Sequence, residues 1–96
     1  MDSFKNKVAI VTGAGQGIGL EICRQLAAQG ARVLLNDIEK SLAEEGARKI
    51  QGEKGICIPF VGDASNILLI QEMIDEAVRQ FGKLDEQLPD LESLFS

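Results

Sequence analysis

The chain has 96 residues, which is enough for one small domain and leaves no room within it for a second one. Hydrophobic residues make up 45% and charged residues 26%, as in an ordinary globular chain, and no apolar run reaches the roughly 18 residues of a membrane-spanning helix. Ten basic residues, scattered singly, against fifteen acidic ones give a net charge of −5, so we expect neither nucleic acid nor a membrane as a partner.

A buried strand followed by a glycine-rich helix start opens the chain. Residues 7–12, KVAIVT, form a continuous apolar run, which is typical of a strand covered on both faces of a parallel sheet. After GAGQGIG, apolar residues recur at the spacing of one helix face, up to an end near Gly30: Ile18, Ile22, Cys23, Leu26 and Ala27.

The same alternation is predicted twice more. A second strand covers residues 32–36 and a second helix covers 41–51. The third strand, GICIPFV, contains Pro59, which lacks a backbone donor and therefore favours an edge position. The third helix has the clearest amphipathic period and closes at Gly82, with Ile70, Met73, Ile74, Ala77, Val78 and Phe81 on one face. This order predicts an α/β fold with a parallel sheet and right-handed crossovers.

The last residues follow a different pattern. Leucines and a phenylalanine in DEQLPDLESLFS could line one helix face, but Pro89 interrupts it, so we expect a short helix begun at the proline or a frayed tail. The segment has no β-branched residue and no glycine, which argues against a fourth strand. We therefore divide the chain into an N-terminal α/β part, 1–85, and a divergent C-terminal tail, 86–96.

Three of the four glycines in GAGQGIG indicate a phosphate-binding loop, because the loop joins a buried strand to a helix. Gly13 turns the chain out of the strand, Gly17 leaves room for a pyrophosphate, and Gly19 lets the helix pack closely on the sheet. The helix N-terminus adds free N–H donors and a positive dipole. The alternative is a turn without a ligand, which would not need the backbone entropy that these glycines cost.

Two aspartates are predicted at the carboxyl edge of the same sheet. Asp37 ends the second strand, where a carboxylate can accept hydrogen bonds from both hydroxyls of an adenosine ribose. The same carboxylate would repel a 2′-phosphate, and no Arg or Lys adjoins Asp37 to offset the repulsion. This pattern predicts NAD, although Asp37 could also cap the second helix. Asp63 ends the third strand, as a helix cap or as an acceptor for the adenine amino group.

The string TGAGQGIG, with ND at 36–37, GDAS at 62–65 and AVRQFGKLD at 77–85, resembles the nucleotide-binding half of the classical short-chain dehydrogenase/reductase family over residues 5–85. The resemblance implies that residues 1–85 are the N-terminal half of a Rossmann dinucleotide-binding domain. The expected partial Rossmann fold is a three-stranded parallel sheet of order 3-2-1 with flanking helices. It implies NAD as the cofactor, with the pyrophosphate on the glycine loop, the ribose at Asp37 and the adenine at Asp63. The residues expected to bind it are Thr12, Gly13, Gly15, Gln16, Gly17, Ile18, Gly19, Asp37, Ile38, Asp63 and Ala64.

The family's catalytic residues have no counterpart in this sequence. In the family, FGKLD leads into a fourth strand with Asn-Asn-Ala-Gly, followed by a Ser and by Tyr-x-x-x-Lys, whereas this chain has no Tyr and no His. We therefore predict no catalytic residue and expect a truncated oxidoreductase, inactive alone, whose parent transfers hydride between NAD and an alcohol or ketone. A fragment, an alternative transcript and a shifted reading frame all fit. The other interpretations are a binding module that pairs with itself or with a full-length relative, and a structural fragment without a ligand.

Three further expectations concern the surroundings of the chain. Cys23 and Cys57 lie in apolar stretches and are predicted to be buried reduced thiols, not disulfide or metal partners. The first residues, MDSFKNKVAIV, lack an apolar leader, which predicts a cytoplasmic protein. Without a fourth strand, the first strand would be an exposed edge, so we expect a homo-oligomer or other association through it, or cover by residues 88–95.

Overall fold

Strands and helices alternate along the whole described chain. The computed structural model describes residues 4–81 and the backbone of residues 91–95. Its elements are β1 (Val8–Thr12), α1 (Gly17–Ala28), β2 (Arg32–Asp37), α2 (Lys40–Gly52), β3 (Ile56–Val61), α3 (Ile67–Phe81) and β4 (Leu91–Phe95). Each of the six elements predicted from periodicity is present, with ends that differ by a few residues at most.

The strands form one parallel sheet of order β3-β2-β1-β4. The predicted order 3-2-1 of the first three strands is therefore confirmed. Since β3 lies at an edge, the sheet tolerates the missing backbone donor of Pro59.

The fourth strand corrects the prediction of a helix or frayed tail for residues 91–95. This segment pairs in parallel along the whole of β1, with Val8 opposite Leu91 and Thr12 opposite Phe95. Low strand propensity is overridden here because the open side of β1 presents backbone N–H and C=O groups that need partners. The alternative expectation, that the end of the chain covers β1, is confirmed, and the exposed edge expected for the first strand is wrong because β1 is paired on both sides. Pro89, Gly82 and the boundary at 85–86 lie outside the described residues.

The sheet has a separate apolar cluster on each face. Alternate residues of a strand point to opposite faces, so Val11 contributes to one cluster, while Val8 and Ile10 contribute to the other. One cluster joins the sheet to α1 and α2 through Cys23, Ala27, Ala43, Ala47 and Ile50. The other joins it to α3 through Met73, Ala77 and Phe81. Val78, predicted on that buried face, is instead 47% exposed.

Both cysteines are free and buried, and burial raises the pKa of each thiol to about 12. At about pH 8 only about one thiol in ten thousand would then be ionised, so we expect a thiol reagent to label the folded chain far more slowly than the chain in urea. Since unfolded thiols ionise near pH 8.5, stability should also fall as the pH rises from about 9 toward 12. Equal labelling rates in the folded and unfolded chain would contradict the burial of these thiols.

Candidate functional site

Three loops meet at the carboxyl edge of the sheet, one after each of β1, β2 and β3. Together they form a shallow depression of about 260 Å³. Its lining includes predicted site residues from all three loops: Thr12 and Gly13, then Asp37 and Ile38, then Asp63 and Ala64. Asn36, Gly62 and Ser65 complete the lining, so the depression carries two carboxylates and contains no Lys or Arg among the described residues that form it.

The glycine loop adopts backbone conformations that favour glycine at two positions. Gly13 has φ +61° and Gly17 has φ +64°, both in the left-handed region. A Cβ added at Gly17 would have no heavy atom within 4 Å. The surface over Gly17 is therefore open to a group that approaches the backbone closely.

Helix α1 begins directly at this opening. Gln16 precedes the helix in an extended conformation, its side chain makes no capping hydrogen bond, and the first turn contains no acidic residue. Gln16, Gly17 and Ile18 are exposed, whereas Gly19 is buried. The positive end of the helix dipole thus lies at the surface, and the first turn of the helix has no carboxylate to balance it.

Asp37 is the last residue of β2 and is only 8% exposed. Its Oδ2 accepts the backbone N–H of Gly15 at 2.9 Å, and its Oδ1 accepts the backbone N–H of Glu39 at 3.0 Å. Glu39 immediately precedes α2, so Asp37 bonds to the residue before the helix and not to the helix itself. The alternative that Asp37 caps α2 is therefore met only in part. The two bonds fix the carboxylate between the glycine loop and the start of α2.

Gly15 is required by close packing. A Cβ at this position would lie 2.6 Å from the Cβ and 2.8 Å from the carbonyl carbon of Leu42, and 2.9 Å from Asp37 Oδ2. Since such approaches force the backbone to shift, a side chain here would separate the loop from α2 and displace the carboxylate. The sequence motif indicated Gly15 as a member of the loop, and the structure adds this steric reason.

Asp63 follows β3 and is exposed at the rim of the depression. Its Oδ1 accepts the backbone N–H of Ser65 at 2.9 Å, and this hydrogen bond, followed by one from the Ser65 side chain, lowers the pKa of the carboxyl. The start of α3 is capped by a different residue, because Asn66 Oδ1 accepts the N–H of Leu68 at 2.9 Å. Asp63 therefore stays ionised at neutral pH and shapes the loop, while Asn66 takes the capping role.

Asn36 lines the depression but was not predicted as a site residue, since its place in the sequence indicated only a resemblance. Its side chain is 1% exposed and its Nδ2 donates to the backbone carbonyls of Phe60 at 2.9 Å and Gly62 at 3.1 Å. The available signal was an amide in an otherwise apolar strand, since a buried polar side chain needs hydrogen-bond partners.

The described residues were also searched for a metal site and for a membrane-spanning helix. Among residues 4–81, no group of three or more His, Cys, Asp or Glu side chains could hold a metal ion. In the same part of the chain, no helix is both long enough and apolar enough to cross a membrane.

The sequence matches a known family and many of its members. The family model described as short chain dehydrogenase matches residues 7–86. A 7α-hydroxysteroid dehydrogenase of Paraclostridium sordellii is 39% identical over 85 residues, which cover 88% of this chain and 32% of that protein. A tetrahydroxynaphthalene reductase of Pyricularia oryzae is 39% identical over 87 residues, covering 86% of this chain and 30% of that protein.

Solved structures give the same result. A citronellol catabolism dehydrogenase of Pseudomonas aeruginosa superposes with a TM-score of 0.78 at 27% identity, over 84% of this chain and 34% of that one. A short-chain dehydrogenase/reductase variant of Serratia marcescens gives a TM-score of 0.76 at 30% identity, over 82% and 33% of the two chains. The chain thus spans about a third of the length of these relatives.

Proposed function

Because the chain belongs to the short-chain dehydrogenase family, whose members use nicotinamide dinucleotides, we propose that its carboxyl edge binds the adenosine diphosphate part of NAD. One observation carries the proposal: the open backbone at Gly17 lies in the same loop whose Gly15 N–H fixes the carboxylate of Asp37. A site for a dinucleotide needs a surface that admits phosphate beside a group that recognises ribose, and this loop provides both.

The pyrophosphate is assigned to the loop from Thr12 to Gly19. The space over Gly17, which a Cβ would fill, admits a phosphate close to the backbone. Exposed N–H groups at the start of α1 and the positive end of the helix dipole would hold it. The residues present therefore fit the group.

The ribose is assigned to Asp37. An ionised carboxylate has about four acceptor positions, of which Gly15 and Glu39 occupy two. The remaining two match in number the 2′ and 3′ hydroxyls of the ribose. A 2′-phosphate at about 4 Å would meet a repulsion of about 4 kcal/mol per pair of charges at an effective dielectric constant of about 20, which favours NAD over NADP.

The adenine is assigned to the far side of the depression. Ile38 is 63% exposed and offers an apolar surface for the ring. The Asp63 carboxylate would accept a hydrogen bond from the adenine amino group, beside the backbone of Ala64. Bound in this way, NAD would supply a nicotinamide ring that accepts or donates hydride.

For a protein of the relatives' full length that contains this chain, we propose hydride transfer between NAD and an alcohol or ketone. We propose the cytoplasm as its location. The 96 residues contain no tyrosine, which is the proton donor of the family, so we expect no turnover from this chain alone.

Calorimetric titration of the chain with NAD, ADP-ribose and NADP tests the proposal. NAD and ADP-ribose should bind within about threefold of each other because they share the adenosine diphosphate part, and NADP should bind at least about tenfold more weakly. Absence of binding by both NAD and ADP-ribose would contradict the proposed site. If the chain binds neither nucleotide but binds a full-length relative in a pull-down experiment, the alternative of a non-catalytic binding or oligomerisation module is supported.

A further inference from the structure

We propose that Asn36 is a positioning residue, which joins the loops after β1 and β3 to the end of β2 and thereby sets the affinity of the site for the adenosine part of the ligand. The inference rests on the proposed function, because it concerns the same site. Asn36 would act through Asp37 and Asp63, and it would contribute by holding their backbones in place.

The hydrogen bonds of Asn36 reach the loops after β1 and β3. Its side-chain amide donates to the carbonyls of Phe60 and Gly62, on either side of the last residue of β3. Its own backbone carbonyl accepts the N–H of Ala14, in the glycine loop, at 2.8 Å. The next residue, Asp37, accepts the N–H of Gly62 through its backbone carbonyl at 3.0 Å. The loops after β1 and β3 are thus both bonded to the end of β2.

The loop after β3 needs such a support more than an ordinary strand end does. Gly62 has φ +155°, a conformation that side chains disfavour, and a Cβ there would lie 2.7 Å from both methyl carbons of Leu69. Gly62 therefore sits tightly under α3, directly before Asp63. The bond from Asn36 to the Gly62 carbonyl fixes this peptide and with it the position of the Asp63 backbone.

Loss of the amide should appear in binding as well as in stability. Without Asn36 Nδ2, the carbonyls of Phe60 and Gly62 lose a buried donor, and the loop becomes free to sample other arrangements. A ligand would then have to order the loop when it binds, which lowers affinity even in molecules that are fully folded.

Gln51 provides a matched control in the same chain. Its Nε2 donates to the carbonyl of Cys57 at 2.7 Å, so it too is a side-chain amide bonded to a β3 carbonyl. That carbonyl lies near the amino end of β3, at the opposite edge of the sheet from the site. Removing this bond changes the anchoring of β3 but leaves the three loops unchanged.

The experiment compares Asn36→Leu, which preserves size without a donor, with Gln51→Leu. Affinity for ADP-ribose is measured by calorimetry at a temperature where urea curves show both variants to be folded. We expect Asn36→Leu to bind about tenfold more weakly than the parent chain, and Gln51→Leu to stay within about twofold. Should Asn36→Leu fail to fold, Asn36→Thr, which suits a strand and retains one donor, is expected to bind about threefold more weakly.

Hydrogen exchange of the chain without ligand gives an independent measure. The amides of residues 62–65 should exchange faster in Asn36→Leu or Asn36→Thr than in Gln51→Leu. If the parent chain binds ADP-ribose and the Asn36 variants bind as well as Gln51→Leu, the positioning role is wrong and the proposed function stands. If the parent chain does not bind, the proposed function fails, and unchanged exchange at residues 62–65 would separately overturn the role of Asn36.

Discussion

Replacing Gly17 with valine is expected to lower the affinity of the chain for ADP-ribose by at least about 100-fold, which corresponds to about 2.7 kcal/mol. The new side chain would extend into the open space over the loop, where no heavy atom lies within 4 Å of a Cβ and where we place the pyrophosphate. A left-handed backbone with φ +64° adds strain of about 1–2 kcal/mol for a residue with a side chain, and valine is β-branched. Calorimetric titration and urea unfolding of the same samples separate the two effects.

Gly52→Val is the control for this substitution. Gly52 is exposed at the end of α2, a Cβ there also has no heavy atom within 4 Å, and its φ is not in the left-handed region. The control variant should bind ADP-ribose as the parent chain does. If the Gly17→Val chain is folded and retains the parent affinity, the pyrophosphate does not bind at this loop.

Replacing Asp37 with asparagine is expected to reduce the preference for NAD over NADP by at least about tenfold. The substitution keeps the shape of the side chain but removes the charge that would repel a 2′-phosphate. An amide has one acceptor oxygen, so the variant loses one of the two bonds from Gly15 and Glu39, with an expected loss of unfolding free energy of about 1–3 kcal/mol. The ratio of the two dissociation constants is the quantity to measure, since a general loss of stability leaves it unchanged.

Asp75→Asn makes the same chemical change outside the site. Asp75 is exposed on α3 and accepts a hydrogen bond from Gln71 on the same helix. Its variant should keep the parent ratio. An unchanged ratio in Asp37→Asn would show that this carboxylate does not face the 2′ position of the ribose.

The alternation of elements and the strand order could be predicted because both depend on local patterns. The apolar run of β1 predicted a strand buried on both faces, and all five of its residues are buried. Pro59 predicted an edge strand for a reason that belongs to the residue itself, its missing donor. The glycine-rich turn after β1 was predicted in the same way, since Gly13 and Gly17 have positive φ, which favours glycine.

Features that depend on distant partners could not be predicted. The strand at 91–95 has a poor strand composition and forms because β1, more than eighty positions away along the sequence, has an open edge. The bonds from Asn36 to Phe60 and Gly62, and the tight approach of Gly15 to Leu42, join segments whose relative positions periodicity does not determine. Sequence patterns thus located the loops of the site, and the structure was needed to show what holds them together.

Nuclear magnetic resonance of the ¹⁵N-labelled chain during titration with ADP-ribose tests the central claim most directly, because it reports where the ligand binds. We expect shifts at the amides of residues 13–19, 37–38 and 62–65, which belong to the three loops at the carboxyl edge. The amide resonances at the opposite edge of the sheet, where the amino ends of the strands lie, should not shift; Gly30 and Gly55 are examples. Shifts confined to that opposite edge, or no shifts at millimolar ADP-ribose, would contradict the assignment of the adenosine diphosphate site.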